Sequence, residues 1–324
     1  MGFMELSRRY EGYFLEDLRS LGIDSVDAFA RASDHIPEII EQVKGLLEKG
    51  FAYETRTGVY FSIDKSPGYG ALSKQARWEI SLRPIELCST KRRPEDFSLW
   101  RRTEGEPSWD SPWGPGRPGW HVEDTAIAMK FLGPQYDLHG GAAELIFPHH
   151  EAEIAQGEAL SGRKPYVRFW LHAGLVRVGG RKMGKSLGNA IPIREILKSH
   201  GHRELRFYLL SNHYRRPIDF SPSELERSKE ELQSIEEAIR DFEDLPAAGG
   251  STRCRKLIAD LEGLEALFME SMDDDFNTPK ALEAIRGMAN RLDGYARRGK
   301  GIDESTRRGA LEKVNGLARV LGIL

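Results

Sequence analysis

Four short runs in the middle of this 324-residue sequence concentrate the residue types that do chemistry. They are Pro118-Gly119-Trp120-His121-Val122-Glu123-Asp124, then Asp137-Leu138-His139-Gly140-Gly141, then Phe147-Pro148-His149-His150-Glu151-Ala152-Glu153-Ile154-Ala155-Gln156, and last Gly179-Gly180-Arg181-Lys182-Met183-Gly184-Lys185-Ser186. Imidazoles and carboxylates at this density serve proton transfer, ligand binding or metal coordination. His149 and Glu153, four positions apart on a predicted helix, share one face and make a candidate metal set with Asp124 as third donor. The same spacing equally suits a hydrogen-bonded pair. Gly140 and Gly141 allow a flat ring or a ribose to come close to the backbone.

The fourth run satisfies the pattern of a phosphate-binding loop, Gly, four residues, then Gly-Lys-Ser. That motif works only when a helix starts at its lysine and points free N–H groups at the phosphates. Here Leu187-Gly188-Asn189-Ala190-Ile191-Pro192 follows, a stretch dense in helix breakers, and the context test fails. A second reading survives: a mobile loop after a strand, whose Lys182 and Lys185 bring ammonium groups to a triphosphate as charge builds in the transition state.

Elements able to position these runs are visible around them. Residues 3–21 carry Phe3, Leu6, Tyr10, Phe14, Leu18 and Leu21 at helical spacing, with Gly22 as a left-handed cap. A second helix has Asp34 preceding Pro37 near its first turn, a stripe of Ile36, Ile39, Ile40, Val43, Leu46 and Leu47, and its end at Gly50. Residues 51–53 and 59–63 read as a hairpin, and 64–118 as an irregular surface excursion with no central strand between Ser111 and Gly119. From Trp120 the pattern becomes a helix near 120–132, a strand at 136–139, a helix at about 149–160 and a strand within 167–178, the rhythm of a parallel α/β sheet. In such a sheet, polar residues at strand ends line the ligand crevice. Short helices at 193–199 and 204–211 follow. After Ser221-Pro222 everything is helical, broken by a linker at 246–251 and closed by segments at about 252–272, 278–297 and 303–321.

Charge divides unevenly along the chain. Residues 163–216 hold 13 Lys/Arg and only Glu195 and Glu204 as acids, a local +11, against a net −3 for the whole. A polyanion is one expected partner of that stretch, and a solvated basic face is the other reading. No apolar run approaches the roughly 18 residues of a membrane span, and no signal region follows the start, so the chain is expected in the cytosol and off the membrane. Cys88 and Cys254 form no metal knuckle or disulfide framework.

Taken together, Gly-Trp-His-Val-Glu, Asp-Leu-His-Gly-Gly, Phe-Pro-His-His-Glu-x-Glu-Ile-Ala-Gln and the lysine loop resemble, in this order, the motifs of the cysteinyl-tRNA synthetases, class I aminoacyl-tRNA ligases. The resemblance runs over essentially the whole chain. It implies an α/β fold: residues 1–30 as a helix of the catalytic domain, 31–116 as a connective insertion, and 117–162 as the second half of a Rossmann-like nucleotide-binding fold. Residues 163–226 would be a stem-contact region bearing the loop, and 227–324 an all-α bundle marked by Met272-Asp273-Asp274-Asp275-Phe276-Asn277-Thr278. The implied activity is ATP-dependent activation of cysteine, with Mg2+ on the nucleotide, and transfer to tRNA(Cys). Lys182 and Lys185 would be catalytic; Lys185, His139, Gly140, Gly141 and Glu144 would bind ATP; Trp120 and His121 would hold the cysteine.

Departures from the family pattern shape the expectations. The family's first strand, with a zinc-ligand cysteine and a His-Ile-Gly-His signature, has no counterpart here, nor has its anticodon-recognition region. The family's second zinc-ligand cysteine falls at Asp124, the acidic residue after the glycines is Glu144 instead of Asp, the loop Ser is Gly184, and a usual Asn is Ala152. Asp124, His149 and Glu153 are therefore expected to hold zinc weakly or not at all. The chain alone is expected neither to form cysteinyl-adenylate nor to charge tRNA until a segment, for example on a separate chain, supplies the missing strand, loop and helix. The alternative is a noncatalytic relative that binds tRNA or a partner synthetase.

Overall fold

The computed structural model describes residues 2–81, 88–248, 252–299 and 301–324, which form two compact units, so that positions 249–251 of the expected linker lie outside the described residues. One unit comprises Met1–Gly12 and Ser25–Ala173, the other Tyr13–Asp24 and Gly174–Leu324. Their boundary falls inside the expected 163–226 segment, because the strand ending at Ala173 pairs with a strand of the first unit.

The expected helix α1 (Phe3–Ser20) forms, divided between the units after Gly12, yet none of its residues is buried; Phe3, Leu6, Tyr10 and Phe14 stay exposed and burial begins at Leu21. Helix α2 (Ile36–Glu48) starts after His35, with Pro37 in its first turn, and Asp34 closes a separate single turn over Ala32–Asp34. Its Ile36, Ile39, Val43 and Leu46 face the core as the spacing predicts.

That helix packs on an antiparallel sheet of β1 (Ala52–Thr55), β2 (Gly58–Phe61), β3 (Phe97–Arg102) and β4 (Gly116–Pro118), ordered β1-β2-β3-β4, with the short helix α3 (Arg77–Ser81) between β2 and β3. Residues 64–118 are thus no surface excursion. Phe97, Ser98, Leu99 and Trp100 are all buried, so β3 is covered on both faces and lacks the alternation that betrays a strand in sequence. β4 is an edge strand, which tolerates Pro118.

The chain then runs through α4 (Val122–Leu132), β5 (Tyr136–Ala142), α5 (Glu151–Ser161) and β6 (Val167–Ala173). β5 and β6 are parallel, in register from Tyr136↔Val167 to Ala142↔Ala173. This is the strand–helix–strand unit of the expected α/β fold, with β5 running past His139 through both glycines.

The second unit opens with β7 (Val176–Val178) and β8 (Arg181–Lys182), joined by Gly179 and Gly180 in left-handed conformation (φ 59° and 75°), which a two-residue hairpin turn requires. Helices α6 (Ile193–Ile196) and α7 (His202–Leu210) follow, and β9 (Ile218–Asp219) pairs parallel with β7. Ser221 caps α8 (Pro222–Glu243) by accepting from the Glu224 N–H. With α9 (Thr252–Asp273), α10 (Thr278–Ala296) and α11 (Glu304–Leu321) it forms the bundle, around Phe242, Phe268, Leu282, Ile285, Met288 and Val314. The 272–278 marker is the corner between α9 and α10: Asp275 and Phe276 have φ of 57° and 53°, and Asn277 caps α10. Asp275 accepts from the Tyr214 hydroxyl at 2.7 Å and from the Arg215 guanidinium, fastening the corner to residues before the bundle. No helix among the described residues is long and apolar enough to cross a membrane.

Candidate active site

The site in the first unit begins where β3 guides the chain beyond β4. Gly119 N donates to the Leu99 carbonyl (2.9 Å) and Trp120 N to the Ser98 carbonyl (2.7 Å), so Trp120 is held as a ladder residue. His121 then turns the chain from sheet to helix in a left-handed conformation (φ 49°, ψ 22°), a strained state for a residue with a Cβ. The Thr125 hydroxyl donates to the His121 carbonyl at 2.9 Å and steadies the corner.

This corner puts the His121 ring at the centre of a polar cluster. Its Nδ1 lies 2.5 Å from Asp124 Oδ2 and 3.2 Å from Glu153 Oε1, and its Nε2 meets His149 Nδ1 at 2.5 Å. The His149 ring in turn packs on Trp120, centroids 4.8 Å apart. Burial alone would lower the His121 pKa, but hydrogen bonds that its ring donates to Asp124 and Glu153 outweigh it and raise the value to about 10. His121 is therefore an imidazolium at neutral pH. His149 is pushed below its ordinary value by burial and by the His121 charge, so it stays neutral beside it.

Glu153 also faces the other way. Its Oε2 lies 3.6 Å from His139 Nδ1, which the Tyr136 hydroxyl meets at 2.7 Å. His150 packs against His139 and Trp170, ring centroids 4.8 Å from each, and its Nδ1 meets His172 Nε2 at 2.9 Å. Burial first, then the neighbouring His139 and His172, lower the His150 pKa to about 3. Tyr136, Trp170 and His172 were not among the residues expected from sequence. The signal for them is register: β5 and β6 pair His139 with Trp170 and Gly141 with His172.

Of the remaining expected positions, Gly141 accommodates the His150 ring, since a Cβ there would lie 2.6 Å from its Cε1. A Cβ at Gly140 would meet nothing within 4 Å, so the space beside it stays open to a ligand. Glu144 sits exposed in a single turn over Ala143–Leu145. Glu151 is structural: buried, it accepts from Gly70 N (2.9 Å), Ser73 N (2.7 Å) and the Ser73 hydroxyl (2.9 Å).

Lys182 and Lys185 belong to the second unit. Lys182 ends the short strand β8, and Lys185 opens a single turn, Lys185–Leu187, closed by the left-handed Gly188. Asn189 brackets the loop, accepting from Gly184 N (2.9 Å) and donating to the Lys182 carbonyl (3.0 Å). The next helix starts only at Ile193, so no helix N-terminus faces this lysine and the phosphate-loop reading is excluded on geometry.

A family model described as the tRNA synthetases class I (C) catalytic domain matches residues 1–230, and a DALR domain matches residues 267–324. The cysteine–tRNA ligase of Geobacter sulfurreducens is 42% identical over 326 residues, covering 99% of this chain and 67% of that protein. The chain belongs to the cysteine–tRNA ligase family of class I tRNA synthetases. A second cysteine–tRNA ligase, from Carboxydothermus hydrogenoformans, is 42% identical over 284 residues, 87% of this chain and 61% of its own. The chain thus spans about three fifths to two thirds of the length of these curated relatives. The fold is shared with the methionyl-tRNA synthetase of Mycobacterium tuberculosis solved with methionyl-adenylate, at 18% identity and a TM-score of 0.69 over 99% of this chain and 78% of that one.

The family implies a zinc ion held by two cysteines, a histidine and a glutamate, and the residues present do not fit it. His121, Asp124 and Glu153 bring ligand atoms within 4.8 Å of one another, as do His139, His150 and Glu153, and His149 belongs to neither group. The expected trio of Asp124, His149 and Glu153 is therefore not gathered about one point; the His121 imidazolium stands between its members. Neither group contains a thiolate. Cys88 lies beside Thr57, Tyr60 and Thr90, and Cys254 beside Tyr295 in the bundle. His121, Asp124 and Glu153, one imidazole with two carboxylates, are a hard donor set tied up in their own hydrogen bonds, and in the other group His139 meets the Tyr136 hydroxyl and His150 meets His172.

Proposed function

We propose that this chain serves ATP-dependent activation of cysteine and its transfer to tRNA(Cys). The observation that carries the reading is the packing of Trp120 on His149 and of His149 on His121, which meets Glu153, a polar cluster built from the runs that resemble cysteine–tRNA ligase motifs. In the first step the cysteine carboxylate attacks the α-phosphorus of ATP, the bond to the bridging oxygen breaks, and pyrophosphate leaves with that electron pair. In the second, the terminal ribose hydroxyl of the tRNA attacks the adenylate carbonyl, loses its proton, and AMP leaves. Trp120 and His121 orient the cysteine, the cationic ring offering a hydrogen bond to an anionic group. His139, Gly140, Gly141 and Glu144 take the adenosine end of ATP. Lys182 and Lys185 meet the phosphates with their accompanying Mg2+ and offset the charge that develops on pyrophosphate.

The family's His-Ile-Gly-His signature contacts the same phosphates, and no such arrangement occurs in these 324 residues. A further segment, in the same polypeptide or a separate one, supplies it in this reading. Asp124 at the position of a family cysteine favours a second reading, a noncatalytic relative that binds tRNA in the cytosol. ATP–pyrophosphate exchange with cysteine separates the two. Exchange when the chain is combined with a histidine-bearing segment supports the ligase, and its absence under every combination, with tRNA still bound, supports the binder. Robust exchange by the lone chain would remove the need for the added segment.

A further inference from the structure

Three consecutive backbone carbonyls at the His121 corner are each held by a buried side chain. Gln156 on α5 donates from Nε2 to the Trp120 carbonyl at 3.0 Å, the Thr125 hydroxyl on α4 donates to the His121 carbonyl at 2.9 Å, and Gln42 on α2 donates from Nε2 to the Val122 carbonyl at 3.3 Å. Gln42 Nε2 also reaches Gln156 Oε1 at 3.2 Å, so the two amides form one relay from α2 to the corner. Gln42 is 4% exposed, and Thr125 and Gln156 are wholly buried. The direction of the relay is fixed. Because the Gln156 nitrogen faces a carbonyl, its oxygen accepts from Gln42, and Gln42 presents its nitrogen to two oxygens.

These carbonyls set a backbone conformation. The Trp120 carbonyl lies in the peptide plane before His121 and the His121 carbonyl in the plane after it, so holding both fixes φ and ψ of His121 at 49° and 22°. A left-handed residue with a Cβ persists only where its surroundings over-determine it. Gln42 itself is not the most stable choice for its place. It shares the buried face of α2 with Ile39, Val43 and Leu46, and its Oε1 is buried with no hydrogen-bond partner among the described residues. A leucine would fill that space without an open acceptor. The strained corner and the unsatisfied amide have one common result: the His121 ring reaches Asp124, Glu153 and His149 at once.

We infer that Gln42, Thr125 and Gln156 are positioning residues for the amino-acid end of the site, holding His121 in the left-handed conformation from which its ring meets the cysteine. The assignment rests on the ligase reading above and deepens it, since α2, outside the four motif runs, then sets the affinity for the amino acid. None of the three side chains touches substrate in this reading. Without them the corner relaxes and the ring leaves the cluster. A site that is competent in one molecule in ten binds roughly tenfold more weakly.

The test uses the 324-residue chain. Binding of L-cysteine and, separately, of ATP is measured by calorimetry for the unchanged protein, Gln42→Leu, Thr125→Val and Thr125→Ser, together with the urea unfolding midpoint of each. The one-bond Cα–Hα coupling of His121, which differs between positive and negative φ, reports the corner by NMR. The midpoints should move little: in Gln42→Leu the lost donor is offset by the lost open acceptor, and in Thr125→Val the His121 carbonyl keeps the backbone N–H of residue 125. Cysteine should bind roughly tenfold more weakly to each of these two variants, ATP should bind as before, and the His121 coupling should shift toward its right-handed value. Thr125→Ser, which keeps the hydroxyl, should behave like the unchanged protein.

Unchanged cysteine affinity in Gln42→Leu and Thr125→Val would overturn the inference and leave the ligase reading standing. So would equal losses of cysteine and ATP binding with a lowered midpoint, the mark of a structural role alone, or a loss of cysteine binding with the His121 coupling unmoved. Failure of the unchanged protein to bind cysteine would refute both.

Discussion

Oε1 of Glu153 lies 3.2 Å from Nδ1 of His121, on the same imidazole nitrogen that meets Asp124 at 2.5 Å. A protonated ring thus stands among carboxylates that would otherwise be metal ligands. The purified chain should hold well under one zinc per molecule by elemental analysis. Asp124→Cys, which restores a soft thiolate at the family's cysteine position, should raise zinc affinity at least tenfold. Stoichiometric, tightly held zinc in the unchanged protein would contradict this account of the cluster.

The same contacts set the pH behaviour. His121 titrates at about 10 in the folded chain against an ordinary 6.5. Because the folded value is the higher one, the stabilisation is fully present below about pH 6.5 and is lost as pH rises through about 10. The imidazole carbon protons of His121, followed by NMR, should show no titration between pH 5 and 8, and Asp124→Ala should bring the midpoint down. A midpoint near 6.5 in the unchanged protein would show that the carboxylates do not hold the proton.

Lys185→Ala, tested in enzyme complete with a histidine-bearing segment, should slow pyrophosphate exchange by about two orders of magnitude, roughly 3 kcal/mol of transition-state stabilisation. Cysteine binding should change little, because the contact is made mainly as charge develops on the phosphates. An unchanged rate would remove Lys185 from the catalytic assignment.

Glu151→Ala removes the acceptor of the buried Gly70 N–H and the half-buried Ser73 N–H, while the Ser73 hydroxyl keeps the Gly70 carbonyl at 3.2 Å. The cost should be about 2–4 kcal/mol in denaturant unfolding. Glu151→Gln, which keeps an oxygen acceptor, should recover part of it. Equal stability of all three proteins would show that water replaces the carboxylate.

Gly141→Ala should disturb the site more than Gly140→Ala, since only the former drives a Cβ against the His150 ring. The expected readout is a shifted His150–His172 pair in the NMR spectrum of Gly141→Ala. Gly140→Ala should leave those signals in place and instead weaken ATP binding.

How far the sequence reached follows from the range of each interaction. The bundle helices and α2 were legible because a 3.6-residue period is a local property, and the order of the four chemical runs pointed to the family before any geometry. β3 was hidden because burial on both faces erases the alternation a strand ordinarily shows. The +11 of residues 163–216 suits either a polyanion or a solvated basic face, yet part of it is engaged within the fold: Arg194 pairs with Asp17, Arg203 with Glu236 and Arg215 with Asp275, and Arg206 donates to the Leu21 and Leu321 carbonyls. Net charge is additive along a chain, but pairing is not.

The site divides in the same way. Sequence alone determined which residue types were present: one histidine and two acids after Trp120, two histidines and two acids after Phe147, glycines after His139, and no thiolate among them. Only tertiary structure decided the partners. The left-handed turn at His121 swings its ring between Asp124 and Glu153 and displaces His149 from them, and the parallel register of β5 and β6 brings Trp170 and His172 to His150. Spacing along a helix says which residues share a face; what stands opposite that face depends on a strand register set far away in the chain.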